Sequence, residues 1–308
     1  MIILIELDLS IEISGFKMKN PTMLASGILG ISIPLLKRVL EAGAGGVVTK
    51  SIGIKQRDGY QTPNIVETFC GYVNAIGLSN PGIDEFMKEL QEFDISDMPI
   101  IVSVFGGSEL EFSKLVSTLD KTDVKGFELN LSCPHVAGLG AEVGSNPDTV
   151  YKITKEVKKC SKKPIFVKIS PNVTNHLEIA RAAEDGGADG IVAINAVRAM
   201  VIDIETGRPI LSNKVGGLSG PAIKPIAVRY VYDISRNVKI PVIGCGGINC
   251  WEDAIEFMLA GASAIQIGTA IAYKGLNVFN EIIYGISEYL KRKSYHSVKE
   301  IIGLAHKF

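Results

Sequence analysis

EAGAGGVVTKS (41–51), EDGGADGIVAIN (184–195) and LAGASAIQIGTA (259–270) repeat one phrase at three places in the chain. Each begins as the last turn of a helix, breaks on glycine, and continues as a short apolar run ending in polar residues. Glycine just past a helix end closes it with a left-handed residue that other side chains resist. The run that follows, rich in valine and isoleucine and without polar alternation, suits a strand buried on both faces of a parallel sheet. The repeat therefore predicts helix, tight turn and buried strand in recurring βα units.

Further runs of the same kind lie on either side. The candidate strands are PTMLAS (21–26), GGVVTKS (45–51), PIIVSVF (99–105), GFELNLS (126–132), PIFVKIS (164–170), GIVAIN (190–195), PVIGCGG (241–247) and AIQIGTA (264–270), separated by amphipathic stretches. Eight such units predict an α/β fold, a single-domain (β/α)8 TIM barrel over residues 1–308 with inserted loops at its C-terminal face. No Pro- or Ser-rich linker divides the chain. The opening MIILIELDLSIEIS is interrupted by Glu6, Asp8 and Glu12 and reads as a short N-terminal β-hairpin arm. It has neither a basic region nor a cleavage site of a secretory signal.

Composition excludes several classes of function. With 32 basic and 33 acidic residues, and a net charge of −1, there is no positive field to gather nucleic acid or an acidic membrane. The lysines at 155, 158, 159, 162 and 163 read as the solvated end of a helix. No run reaches the roughly 18 apolar residues that span a bilayer, so a cytoplasmic protein without membrane contact is expected. Five cysteines without a CxxC pair argue against a disulfide framework, a zinc site or an iron–sulfur cluster held by this chain.

In a barrel of this kind the C-terminal strand ends carry function. Here they read Ser26-Gly27, Lys50-Ser51, Asn130 to Cys133, Lys168, Asn195, Gly246-Gly247 and Gly268-Thr269. GCGGI (244–248) and QIGTA (266–270) close strands seven and eight, the usual phosphate position, where glycine lets backbone N–H groups approach an anion. Lys50 and Lys168 end buried strands and each should face an anion or an electron-rich ring. A Schiff-base lysine is the competing use. Asn74, Asn130, Asn172 and Asn195 offer paired donors and acceptors to a flat heterocycle.

NAIGLSNPG (74–82), NLSCPHV (130–136), VKISPNVT (167–174), GGLSGPAIKPIAVR (216–229) and IGCGGI (243–248), with AGASAIQIGTA (260–270), closely resemble the dihydroorotate dehydrogenases. The similarity covers essentially the whole chain. A thiol at 133 resembles class 1, and GGLSGPAIKPIA is most like the NAD-linked class 1B subtype. The resemblance implies flavin-dependent oxidation of (S)-dihydroorotate to orotate in pyrimidine (UMP) biosynthesis. Cys133 would be the catalytic base, with hydride passing to FMN and electrons going on to NAD+. Lys50, Asn74, Ala75, Ile76, Gly77, Leu78, Asn130, Asn195 and Ala196 would bind substrate. Ser26, Lys50, Ser51, Asn130, Lys168, Ile194, Gly220, Gly246, Gly247, Gly268 and Thr269 would bind FMN. FAD and a [2Fe-2S] cluster are implied only in a partner subunit, joined to a homodimer of this chain as a heterotetramer. No metal site is implied here.

A thiol has an unperturbed pKa of about 8.5, near enough to working pH for a base. VAGLGAEVGSNP, with glycines at 138, 140 and 144, reads as a mobile lid that carries it over the substrate, ending in a helix start at Asn146-Pro147. Three positions depart from the family pattern: His135 stands for a second asparagine, Ala196 for threonine or serine, and Ser103 for an asparagine near the flavin. His135 leaves open a dihydropyrimidine (uracil or thymine) dehydrogenase-like flavoenzyme. A flavin-free phosphate-binding barrel is the third reading.

Overall fold

The eight expected strands close on themselves. In the computed structural model, which describes residues 7–131 and 143–308, they span Thr22–Leu24, Gly46–Val48, Ile100–Val104, Gly126–Asn130, Ile165–Ile169, Gly190–Ala193, Val242–Cys245 and Ala262–Ile267. Every neighbour is parallel, in chain order, and strand eight returns to strand one through Ile265 opposite Thr22. Strands three and five are buried at every position, as expected of a sheet wrapped by helices.

The barrel helices follow from local signals. They are α1 (Ile33–Glu41), α2 (Ile83–Glu92), α3 (Glu109–Leu119), α4 (Pro147–Cys160), α5 (His176–Asp185), α6 (Lys224–Ser235) and α7 (Trp251–Leu259). A short α8 (Ala270–Lys274) and a long α9 (Val278–Arg292) complete the set among the described residues. The helix α4 starts as its sequence predicts: Asn146 accepts from the Thr149 N–H at 3.1 Å and Pro147 fills the first turn, where no donor is needed. Of its lysines, Lys155 and Lys159 are exposed beside Tyr151 and Glu156, while Lys158 pairs with Asp189 ahead of strand six; Lys163, just past the helix, donates to the Asp120 carbonyl at 2.7 Å.

The N-terminal hairpin is shifted from its expected place. It pairs Ile11–Ile13 with Phe16–Met18 across Ser14-Gly15, both with positive φ, so its second strand lies beyond the apolar opening stretch. A two-residue turn with both φ values positive matches strand twist, and glycine suits it. Phe16 and Met18 are buried beside Gly46, Phe16 meets the Phe166 ring edge-on, and Ser14 Oγ donates to the Asp189 carbonyl. Those partners start or precede strands, so the hairpin plugs the bottom of the barrel.

One structure at the top was not expected. Ile65–Thr68, Gly71–Asn74, Gly216–Ser219 and Val197–Ala199 form a four-stranded antiparallel sheet, with Asn74 opposite Gly217 and Val197 opposite Leu218. It joins the loop after strand two to the loop after strand six and roofs the barrel mouth. Val73, Ala75 and Leu211 give it a small core of its own.

Helix α9 packs on α7 at Gly285, where an added Cβ would stand 2.0 Å from Trp251 Cγ and 2.3 Å from its Cβ. Gly285→Ala should therefore destabilise the fold despite alanine's helix advantage of about 1 kcal/mol. Overpacking of this kind outweighs it, for a net loss of about 2 kcal/mol and a Tm lower by roughly 5 °C. Thermal unfolding would check this; an unchanged or higher Tm contradicts the packing.

Candidate active site

Under the roof, at the C-terminal ends of the strands, lies a cavity of about 540 Å³, within the range of small-molecule sites. It gathers every site residue expected from the sequence except Cys133. Cys133, His135 and residues 136–142 of the expected lid lie outside the described residues.

One wall is a chain of short side chains at the ends of strands one, two, four and six, backed by one from strand three. Asn130 Nδ2 donates to Ser51 Oγ at 3.0 Å, and Ser51 shares a hydrogen with Ser103 at 2.8 Å and approaches Ser26 at 3.4 Å. Asn195 Nδ2 donates to Asn130 Oδ1 at 3.4 Å, while its own Oδ1 accepts from the Ala196 N–H at 2.8 Å. Asn130 and Asn195 are thus held to each other and to the serines with their positions fixed. Ser103 stands behind Ser51, fully buried and not on the cavity wall. Its hydroxyl anchors Ser51. Ala196 faces the roof, where a Cβ on Gly217 would lie 2.7 Å from its own.

The roof supplies Asn74 to Leu78. Asn74 Nδ2 donates to the Gly217 carbonyl at 3.3 Å, and Leu78 takes a left-handed φ of 56° in the turn that returns the chain to the wall. Asn172, after strand five, holds the other loop: it donates to the Ala196 carbonyl at 3.2 Å and accepts from the Arg198 N–H at 2.9 Å.

The floor holds Lys168, 5% exposed. One anion it faces is the protein's own: Nζ is 3.4 Å from Glu128 Oε1 and donates to Gln266 Oε1 at 3.0 Å. Burial works against the ammonium, but Glu128, with Cys245 adding to it, outweighs burial and the net shift of Lys168 is upward. Lys50 differs. It is half-buried on the cavity wall, pairs with no carboxylate among the described residues, and burial lowers its pKa.

The far end is lined by glycine. Gly246 and Gly247 have φ of 128° and 79°, and Gly220 has 98°. A Cβ on Gly247 would come within 2.8 Å of the Lys224 backbone nitrogen and 2.9 Å of the Gly220 carbonyl, so only glycine fits there. Gly268 and Thr269 adjoin, the latter donating to Ser219 Oγ at 2.9 Å. Among the described residues Asn249 Oδ1 is buried here without a partner, a cost that a ligand hydroxyl would remove. Lys224, in the GPAIKP stretch, is turned away into a pair with Asp253 and Glu256 at 2.8 Å each.

The charge of the cavity is one-sided. Lys50, Arg57, Lys168 and Arg198 line it, and no aspartate or glutamate does among the described residues, in a chain whose net charge is −1. Sequence reading missed Arg57 and Arg198, which reach the mouth only because the roof folds over it. It also missed Glu128 and Gln266, whose contact joins positions 138 residues apart at 2.7 Å. Their signal was a glutamate and a glutamine inside otherwise apolar strands. No group of metal-binding side chains and no membrane-length apolar helix occurs among the described residues.

A family model for dihydroorotate dehydrogenase matches residues 8–290. The chain is 54% identical over 299 residues to the dihydroorotate dehydrogenase B (NAD(+)) catalytic subunit of Pyrococcus abyssi, covering 97% of this chain and 99% of that one. It is 51% identical to the protein of that name from Pyrococcus furiosus, over 98% and 100% of the two. The counterpart from Methanocaldococcus jannaschii is 47% identical over 98% and 99%. The chain belongs to the dihydroorotate dehydrogenase family.

Proposed function

We propose that this chain oxidises (S)-dihydroorotate to orotate in pyrimidine biosynthesis, as the flavin-bearing catalytic subunit of an NAD+-linked enzyme. The observation that carries the reading is the cavity itself, a glycine-lined end and four lining cations with no acid lining it among the described residues, Lys168 alone being backed by a buried carboxylate. A phosphate-bearing cofactor and a carboxylate substrate together need both features.

The residues present fit flavin mononucleotide. Backbone around Gly220, Gly246, Gly247, Gly268 and Thr269 would hold the phosphate and its chain, with Asn249 taking the hydrogen of a hydroxyl. Ser26, Ser51, Ile194 and Lys168 would lie along the ring, with Lys168 offering a fixed positive charge to the edge that gains electrons. When bound, the flavin accepts the hydride. Lys50 and the Asn74–Leu78 loop would hold the substrate carboxylate, while Asn130 and Asn195, fixed by their hydrogen bonds, would orient the pyrimidine ring with Ala196 beside it. Cys133 would take the proton from C5.

The relatives are named as catalytic subunits, which supports a partner subunit for this chain. We place FAD and a [2Fe-2S] cluster on that partner, with a homodimer of this chain at the centre of a heterotetramer.

The decisive experiment is an anaerobic titration of the purified chain with dihydroorotate, following flavin absorbance. Bleaching is expected. A yellow protein that ignores dihydroorotate and bleaches with dihydrouracil would move the substrate to an uncharged pyrimidine. A chain that cannot be loaded with flavin would sink the reading.

A further inference from the structure

Glu128 is fully buried inside the barrel, one layer below the cavity, and does not line it. Strand register puts Asn130 opposite Lys168, so Glu128 and Asn130 project to the same side and the carboxylate lies under the lysine. Glu128 Oε1 is 3.4 Å from Lys168 Nζ, its Oε2 accepts from Gln266 Nε2 at 2.7 Å, and Gln266 Oε1 accepts from Lys168 Nζ at 3.0 Å. The three side chains, from strands four, five and eight, close a ring. The other titratable group facing it is Cys245 of strand seven, whose thiol burial pushes upward and so keeps uncharged.

Such a ring is expensive. A buried ion pair recovers its desolvation cost only when further hydrogen bonds complete it, and apolar residues fill barrel interiors of this kind more cheaply. A lysine buried without a partner gives up its proton. Here the carboxylate stands on the side away from the cavity, so the pair is a dipole whose positive end faces the ligand.

We propose that Glu128, oriented by Gln266, is a positioning residue that fixes Lys168 Nζ at the cavity floor and keeps it charged in both redox states of the bound flavin. The inference rests on the flavin reading above. It implies that the charge facing the ring does not depend on pH across the working range, because Lys168 need not gain a proton when the ring gains electrons.

The test is the flavin midpoint potential of the loaded chain across pH, wild type against Glu128→Gln. Glutamine keeps the shape and loses the charge. In the variant Lys168 is expected to be neutral at alkaline pH beside oxidised flavin, so reduced flavin is bound about tenfold less tightly relative to oxidised. For a two-electron couple that is a fall of about 30 mV. Toward acid pH the gap should close and then reverse, because Lys168 regains its proton with no carboxylate behind it, so the two profiles differ in slope and cross. A role in packing alone would leave the slopes equal. Profiles that run parallel, or a variant with the higher potential at every pH, would overturn the proposal while leaving the flavin reading intact. A wild-type chain that takes up no flavin overturns both. If Glu128→Gln does not fold, Gln266→Met frees one carboxylate oxygen and should shift the alkaline potential in the same direction by about threefold in relative affinity; no shift there is also fatal.

Discussion

Cys133→Ala is expected to bind flavin normally and to be reduced by dihydroorotate about 10²- to 10⁴-fold more slowly than wild type. That is the usual contribution of a positioned base. The residue follows Asn130, which is fixed through Ser51 on the cavity wall, and the family resemblance gives it the C5 proton. Removing the thiol leaves the glycine-lined end, Lys168, Asn130 and Asn195 intact, so binding of the product orotate should change little. The pH profile separates loss of a base from general damage. In wild type the rate of flavin reduction should rise with pH as the thiol ionises, around pH 8.5 for an unperturbed cysteine, and the alanine variant should lack that limb. Stopped-flow reduction at several pH values measures both. A variant within tenfold of wild type would remove Cys133 from the chemistry.

Lys50→Met is expected to cut kcat/KM for dihydroorotate by about 30- to 100-fold, mainly through KM. Methionine keeps much of the apolar stem and loses the charge. Hydrogen bonds to charged groups contribute about 1.5–3 kcal/mol, and each 1.4 kcal/mol is about tenfold. The effect should fall at the upper end because Lys50 has no other anion among the described residues to hold it back. Its pKa also gives a signed pH dependence. Burial lowers it from the ordinary 10.5, so in the free protein the charge is a cost below the folded pKa and vanishes as pH rises through it. A bound carboxylate favours the charged form. Orotate affinity should thus be highest at neutral pH and decline as pH rises, beginning below 10.5, and the decline should be absent in Lys50→Met. Unchanged orotate affinity in the variant would place the carboxylate elsewhere.

The barrel was legible because each βα unit carries its own signal. Glycine after a helix, a β-branched run and a polar end are local features, and strand limits shifted by only a few residues from those read off the chain. The widest miss, strand eight, starts at Ala262, where alanine and serine had hidden its first turn of pairing. The roof sheet was illegible for the opposite reason. GGLS (216–219) and VRA (197–199) have no apolar alternation to betray them, and their pairing depends on partners far away in sequence. Arg57 and Arg198 went unseen with it. Lys168 was recognised as a lysine that needed an anion, yet Glu128 went unseen, because nothing in one strand shows what the next one aims at it.

The roof has a consequence for how such a protein can vary. Gly71–Asn74 is zipped to Gly216–Ser219 by backbone bonds, with Val73 buried and Asn74 turned to the cavity. A single residue inserted between Gly71 and Val73 would exchange those two faces, putting valine over the cavity and asparagine in the small core, and one within Gly216–Ser219 would do the same to that strand. Length can change only at the tips, at the exposed Phe69-Cys70 turn or in the excursion between Ala199 and Gly216. Two loops separated by the whole middle of the chain are therefore locked into a common inheritance. Natural insertions should cluster at those tips and spare the paired segments.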